Sequence, residues 1–147
     1  MAERLDDDFA FPLADRAYLR LVDNDPAGAV DLYERSAEID RDLLERAKRY
    51  RSLPDAVAPI RAGLAEALTH EGVALERLGR LDDARRAYRA SIDAKPSSLA
   101  NYNLGVTYWN RDWPAAVEAF SRAVELDPSS SDARRYLEKA RAALQKT

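Results

Sequence analysis

The sequence predicts an all-α fold: an α-solenoid of antiparallel helix hairpins, closed by a C-terminal capping helix. Three observations predict it. The 147 residues are dominated by alanine, leucine, arginine and glutamate, all good helix formers, while β-branched residues are few and scattered. A small–aromatic–small set recurs along the chain: Ala29, Tyr33 and Ser36; Ala84, Tyr88 and Ser91; Ala116, Phe120 and Ala123. Each set occupies positions i, i+4 and i+7, which places two small side chains and one ring on a single helix face. Turn signals divide the helical stretches: DNDP at 23–26, LGRLDD at 78–83 and NRDWP at 110–114.

Taken in order, each unit opens with a small residue upstream of its set. Ala17 precedes Ala29 by twelve residues, Gly72 precedes Ala84 by twelve, and Gly105 precedes Ala116 by eleven. That distance is one helical stretch plus a tight turn, so the chain reads as three hairpins. Pro26 and Pro114 suit the first turn of the following helix, and Gly79 suits the end of the preceding one. Small residues let a neighbouring helix approach, and the ring fills the space that remains.

The spacing between units is uneven. Ala84 and Ala116 lie 32 residues apart, but Ala29 and Ala84 lie 55 apart. Pro96 and Pro128 stop the helices of the later units, whereas Arg41 stands at the matching place in the first and stops nothing. An apolar stripe continues through Ile39, Leu43, Leu44, Ala47 and Tyr50, and another starts after SLPD (52–55) with Val57, Ile60, Leu64, Leu68 and Leu75. Two long helices follow, about 27–51 and 55–78, forming a protruding hairpin that reaches roughly 15 Å beyond the rest. Pro59 either kinks the second of these or marks its start, with 53–58 as a turn. The first helix of the third unit spans about 98–110. Ser131 to Lys146 forms the last amphipathic helix, acidic at its start and basic toward its end.

These residues resemble the tetratricopeptide repeat family. Leu104, Gly105, Tyr108, Ala116, Phe120, Ala123 and Pro128 match its pattern best, although Asn101 stands where the family often has tryptophan. Gly72, Gly79, Ala84, Tyr88 and Pro96 carry the second unit, with Glu71 in place of the usual leucine. Ala17, Ala29, Tyr33 and Ser36 carry the first. The resulting division is an N-terminal extension (1–11), a repeat domain (12–128, with the long hairpin at about 41–64) and a capping helix (129–147).

Composition narrows the function classes. A net charge of −3 argues against general nucleic-acid binding. With no cysteine there are no disulfides, thiolate metal sites or cysteine nucleophile. No apolar run reaches the roughly 18–20 residues that span a bilayer. The acidic start, MAERLDDDFA, lacks the apolar stretch of a secretory signal, so a cytoplasmic protein is expected. His70 is the single histidine, and HEGVA (70–74) has Ala74 where a zinc motif needs its second histidine. It reads as a helix-surface residue. Asp6–Asp8 lack the glycine and spaced ligands of a calcium loop, and the five glycines are scattered rather than gathered into a phosphate loop. The expectation is no enzyme, no metal and no cofactor.

The resemblance implies a protein-interaction module binding a peptide or partner protein in its concave groove, which the first helix of each hairpin lines. In the third hairpin the candidate partner-binding residues are Tyr102, Asn103, Val106, Trp109 and Asn110; in the second they are Thr69, Val73 and Arg77. Rings supply contact area, and amides pair with a peptide backbone. The competing reading is that Tyr102 and Trp109 pack against neighbouring helices. Some family members grip a C-terminal carboxylate with lysine, asparagine and arginine. Asn103 matches one such asparagine, but Thr69 and Leu99 lie where the lysines would be.

Two further readings stand beside the groove. The hairpin tip is basic through Arg46, Lys48, Arg49, Arg51 and Arg61, with Asp42, Glu45 and Asp55 between them, and reads as a solvated charged tip. If Leu43, Leu44, Val57 or Ile60 stay partly exposed there, the hairpin is a self-assembly surface making homo-oligomers. The chain could equally serve as an accessory domain of a larger enzyme or complex.

Overall fold

The computed structural model of the chain describes residues 10–50 and 54–147. The acidic run Asp6–Asp8, Phe9, the side chain of Phe11, and most of the turn expected at 52–55 lie outside the described residues. Among the described residues seven helices follow one another: α1 (Ala10–Val22), α2 (Pro26–Arg49), α3 (Pro54–Arg77), α4 (Leu81–Ala94), α5 (Ser98–Tyr108), α6 (Trp113–Leu126) and α7 (Ser131–Gln145). There is no strand among the described residues. Each helix packs on the next, as in an all-α solenoid.

The helix ends follow local chemistry. Asp25, Ser97, Asp112 and Ser130 each accept a hydrogen bond from a backbone N–H three residues on, and so cap α2, α5, α6 and α7. Within each hairpin, one turn residue takes the left-handed conformation: Asn24 (φ 61°), Gly79 (φ 74°) and Asn110 (φ 60°). Glycine and asparagine tolerate that conformation best. α2 and α3 each run for 24 residues, against 11 to 15 for the others. Pro59 lies inside α3, which continues through it. The ends of both long helices fall a residue or two from those expected.

The three rings of the repeated sets sit at the centre of the packing. Tyr33, Tyr88 and Phe120 are fully buried, as are Ala29, Ala84, Ala116, Ser91 and Ala123. A Cβ at Gly105 would come within 2.7 Å of the Phe120 ring, and one at Gly72 would overlap the Tyr88 ring. Only glycine lets these helix pairs close onto their rings. One core runs from Leu13 in α1 through to Ala119 in α6. A second, Ala37, Leu44, Leu64 and Leu68, forms the seam of the long hairpin. A third joins Ala116 and Phe120 of α6 to Leu137 and Ala140 of α7.

Candidate functional site

α1 approaches α3, and α3 approaches α5. No comparable approach links α2 to α4. The first helices of the hairpins therefore form the inner, concave side. Two hollows open on it. One lies between α1 and α3 over α2, has a volume of about 480 Å³, and is lined by residues including Tyr18, Asp40, Ile60, Gly63, Glu66 and His70. The other lies between α5 and α7, lined by Val106, Trp109, Asn110, Arg111 and Tyr136. The hollows on the outer side differ in chemistry. One is lined by Glu34, Arg41, Glu71, Arg80, Asp83 and Arg86, where Asp83 pairs with both Arg80 and Arg86.

Five of the expected binding residues fall at the α5 end. Tyr102, Val106 and Trp109 are half-buried and join one aromatic cluster with Phe120 and Tyr136. Tyr102 meets Tyr136 edge-on at 5.5 Å between ring centres, and Trp109 meets Tyr136 at 5.2 Å and Trp113 at 4.9 Å. Both rings thus pack against neighbouring helices and keep only part of their area for a partner. Asn103 is half-buried between them in sequence. Asn110 is exposed at the rim, and its left-handed backbone gives it a turn-forming role of its own.

The α3 residues do not all face the groove. Thr69 is a correction: it is buried at 5% exposure. Its hydroxyl donates to the Ala65 carbonyl at 2.9 Å and contacts the Ser91 hydroxyl at 2.8 Å. Satisfying buried polar groups between α3 and α4 takes that side chain out of a partner's reach. Val73 is half-buried against the main core. The Arg77 guanidinium donates to the Leu21 carbonyl at 2.7 Å, which ties it to the C-terminal end of α1.

His70 is also placed differently from expectation. It is half-buried, its ring 5.9 Å from Tyr18 and 5.8 Å from Tyr33, and burial pushes its pKa below the usual histidine value. Burial therefore favours its neutral form.

Sequence reasoning missed the α1–α3 hollow. A signal was available: Asp40 continues the register of Ala29, Tyr33 and Ser36, one helical turn past the point where the other units stop. It is buried at 8% exposure, and desolvation raises its pKa to about 6. Tyr33 is the companion oddity. Its hydroxyl has no hydrogen-bond partner among the described residues, whereas the matching Tyr88 hydroxyl donates to Glu76. Leu21 occupies in the first hairpin the place that Glu76 takes in the second. Burial, with Glu66, Tyr18 and Asp15 nearby, pushes the Tyr33 hydroxyl up to about 12.

The family model for the tetratricopeptide repeat matches residues 41–98 and 69–131. The chain belongs to the tetratricopeptide repeat family. Among solved structures, it is similar to the first tetratricopeptide domain of Spaghetti (RPAP3) bound to the HSP90 peptide SRMEEVD, with 17% identity, a TM-score of 0.72, and coverage of 92% of this chain and 93% of that one. The tetratricopeptide domain of Sgt2 from Aspergillus fumigatus gives 18% identity and a TM-score of 0.71, over 93% of this chain and 80% of the other. The first such domain of human RPAP3 gives 17% and 0.71, over 95% of both. At these identities the likeness is one of fold. A search of curated proteins gives no match. Among the described residues of this tetratricopeptide protein, no helix is long and apolar enough to cross a membrane.

Proposed function

We propose that this tetratricopeptide protein is a non-enzymatic interaction module that holds an extended segment of a partner protein along the concave face of α1, α3, α5 and α7. The observation that carries this is the contrast between the two sides. The concave hollows combine rings and aliphatic side chains with a few polar ones, Asp15, Asp40 and Glu66 in one and Asn110 and Arg111 in the other, a mixture that suits peptide contact. The outer hollow between α2 and α4 is lined by charged side chains, several in ion pairs. Tyr102, Asn103, Val106, Trp109 and Asn110 form the contact strip at the α5–α7 end, with Val73 and Arg77 bordering it. The RPAP3 domain holding the peptide SRMEEVD supports an extended peptide as the ligand form. The acidic character of that peptide does not carry over, because Thr69 and Leu99 replace the lysines that a carboxylate grip needs.

Val106→Glu tests the face. Val106 lies half-buried in the α5–α7 hollow, so a carboxylate there should abolish capture of the native partner from lysate, identified by mass spectrometry, while helicity is kept. Leu43→Glu, on the long hairpin, should leave capture intact. The reverse pattern would move function to the hairpin. Self-association through the hairpin has one observation in its favour, the exposure of Leu43 (40%) and Tyr50 (67%). A concentration-independent monomer in light scattering would set it aside.

A further inference from the structure

We infer that the hollow between α1 and α3 receives a lysine or arginine side chain from the bound partner segment, an inference that rests on the concave face being the binding face. The lining holds three carboxylates, Asp15, Asp40 and Glu66, and no lysine or arginine. His70 also lines it, and burial favours the neutral form of that ring. None of the three carboxylates has an ion pair or hydrogen bond among the described residues. Asp40 matters most, because it is more than nine-tenths buried and borders the hollow. A buried carboxylate without a partner is costly, and a cation brought into hydrogen-bond reach relieves that cost. Elsewhere the buried polar side chains are satisfied: Thr69, Ser91, Asn101 and Thr107 all make hydrogen bonds. The buried Tyr33 hydroxyl, which has no hydrogen-bond partner among the described residues, belongs to the same corner of the fold.

The shape fits a long side chain. The volume of about 480 Å³ lies within the usual range for small-ligand sites, roughly 300–1,000 Å³. Ala14, Ile60 and Ala67 offer apolar surface to a methylene stem, and Tyr18 adds an aromatic ring to the lining. Gly63 keeps the wall open. A Cβ there would meet only Asp40 Oδ2, at 3.7 Å, so no packing contact requires glycine in this helix. A metal ion is a poorer fit. The carboxylates are spread around the hollow, and no group of three histidine, cysteine, aspartate or glutamate side chains among the described residues is arranged to hold one.

The test uses the full chain and four pools of acetylated, amidated nonapeptides. The central residue is fixed as lysine, arginine, norleucine or glutamate, and charged residues are excluded elsewhere. Affinity is read by fluorescence anisotropy, and location by the amide NMR shifts of Gly63 and His70. The lysine and arginine pools should bind at least tenfold more tightly than the norleucine and glutamate pools and shift both amides. Asp40→Asn/Glu66→Gln should erase that preference, and Gly63→Leu should block the hollow. Either variant suffices if the other proves misfolded by circular dichroism. Equal binding of norleucine and lysine, a preference that survives both variants, or no binding of any pool at these amides would overturn the inference. If the pools show no preference but Val106→Glu still loses the native partner, the cation site falls and the concave face stands. If Val106→Glu and Gly63→Leu both leave capture of that partner intact, the concave face falls with it.

Discussion

Gly105 and Gly63 show how one residue type does opposite work in two helices. Gly105 is buried where the Phe120 ring needs its space, with a built Cβ at 2.7 Å from the ring. Gly63 is exposed on the wall of a hollow, with nothing nearer to a built Cβ than 3.7 Å. Alanine at Gly105 should therefore destabilise by about 1–3 kcal/mol, since the ring is enclosed and cannot yield without strain. Alanine at Gly63 should stabilise by about 0.5–1 kcal/mol, the helix-interior gain of alanine over glycine. Urea denaturation should move the two midpoints in opposite directions. A shared direction would mean that one of the two contacts is misplaced. Tyr102 makes a related point about residue roles. Its ring lies 5.7 Å from Phe120 and 5.5 Å from Tyr136, so replacing it would disturb packing as well as binding. Val106 borders the same cluster but carries no ring, so replacing it removes less packing than replacing Tyr102.

At the scale of elements, helix boundaries follow from identifiable side chains. α4 ends at Ala94 and α6 at Leu126, each two residues before a proline, while α2 runs on past Arg41 to Arg49. Capping is uneven in a way that can be measured. Asp112 accepts from the Ala115 N–H at 3.0 Å at the start of α6, whereas Arg80 caps α4 with no side-chain hydrogen bond. Asp112→Ala should cost about 1 kcal/mol, as loss of a helix N-cap usually does. Arg80→Ala should cost less by this route, losing only its exposed pair with Asp83. Thermal melts of the two variants would separate these cases. The long helices were legible because stripes of apolar residues and missing stop signals are local features. So were the buried rings, since each set lies within one helix. What α7 does to α5 was not legible. Tyr136 reaches Tyr102 and Trp109 from about thirty residues away, and no periodicity within α5 announces that contact. The α1–α3 hollow was hidden for the same reason. Asp15, Asp40 and Glu66 come from three helices, and each alone reads as a solvated charge. The helix-surface reading of His70 failed because Tyr18 and Tyr33 come from other helices to cover it.

The whole molecule carries several carboxylates under strain from burial, and this shapes its stability against pH. Asp40 is raised to about 6, Glu71 to about 7, and Glu76 is raised as well, in each case first by desolvation. A carboxyl whose pKa is higher in the folded than in the unfolded chain binds its proton more readily when folded. Its stabilising contribution is complete below the unfolded value and is lost as pH rises through the folded one. Between about pH 4 and 7 these three groups therefore favour the native state as pH falls. His70 acts in the opposite sense over the upper part of that range, since burial makes the folded chain resist its protonation. Glu45, Asp83 and Asp127 are lowered by hydrogen bonds to Lys48, Arg80 and Ser129 respectively, and their contributions fade only as pH drops below the ordinary carboxylate range. Three raised groups against one histidine should place maximal stability near pH 5, below neutrality. Of its shift from 3.8 to about 6, only about one unit is recovered between pH 7.5 and pH 5, so Asp40 alone accounts for ~1–1.5 kcal/mol of that rise, at about 1.36 kcal/mol for each pKa unit. The melting temperature should be higher at pH 5 than at pH 7.5, and Asp40→Asn should shrink that difference. An Asp40→Asn protein with the wild-type pH response would show that Asp40 is well hydrated. The carboxylate would then carry no burial cost for an incoming cation to relieve, which links the pH profile of the folded chain to the chemistry of its concave face.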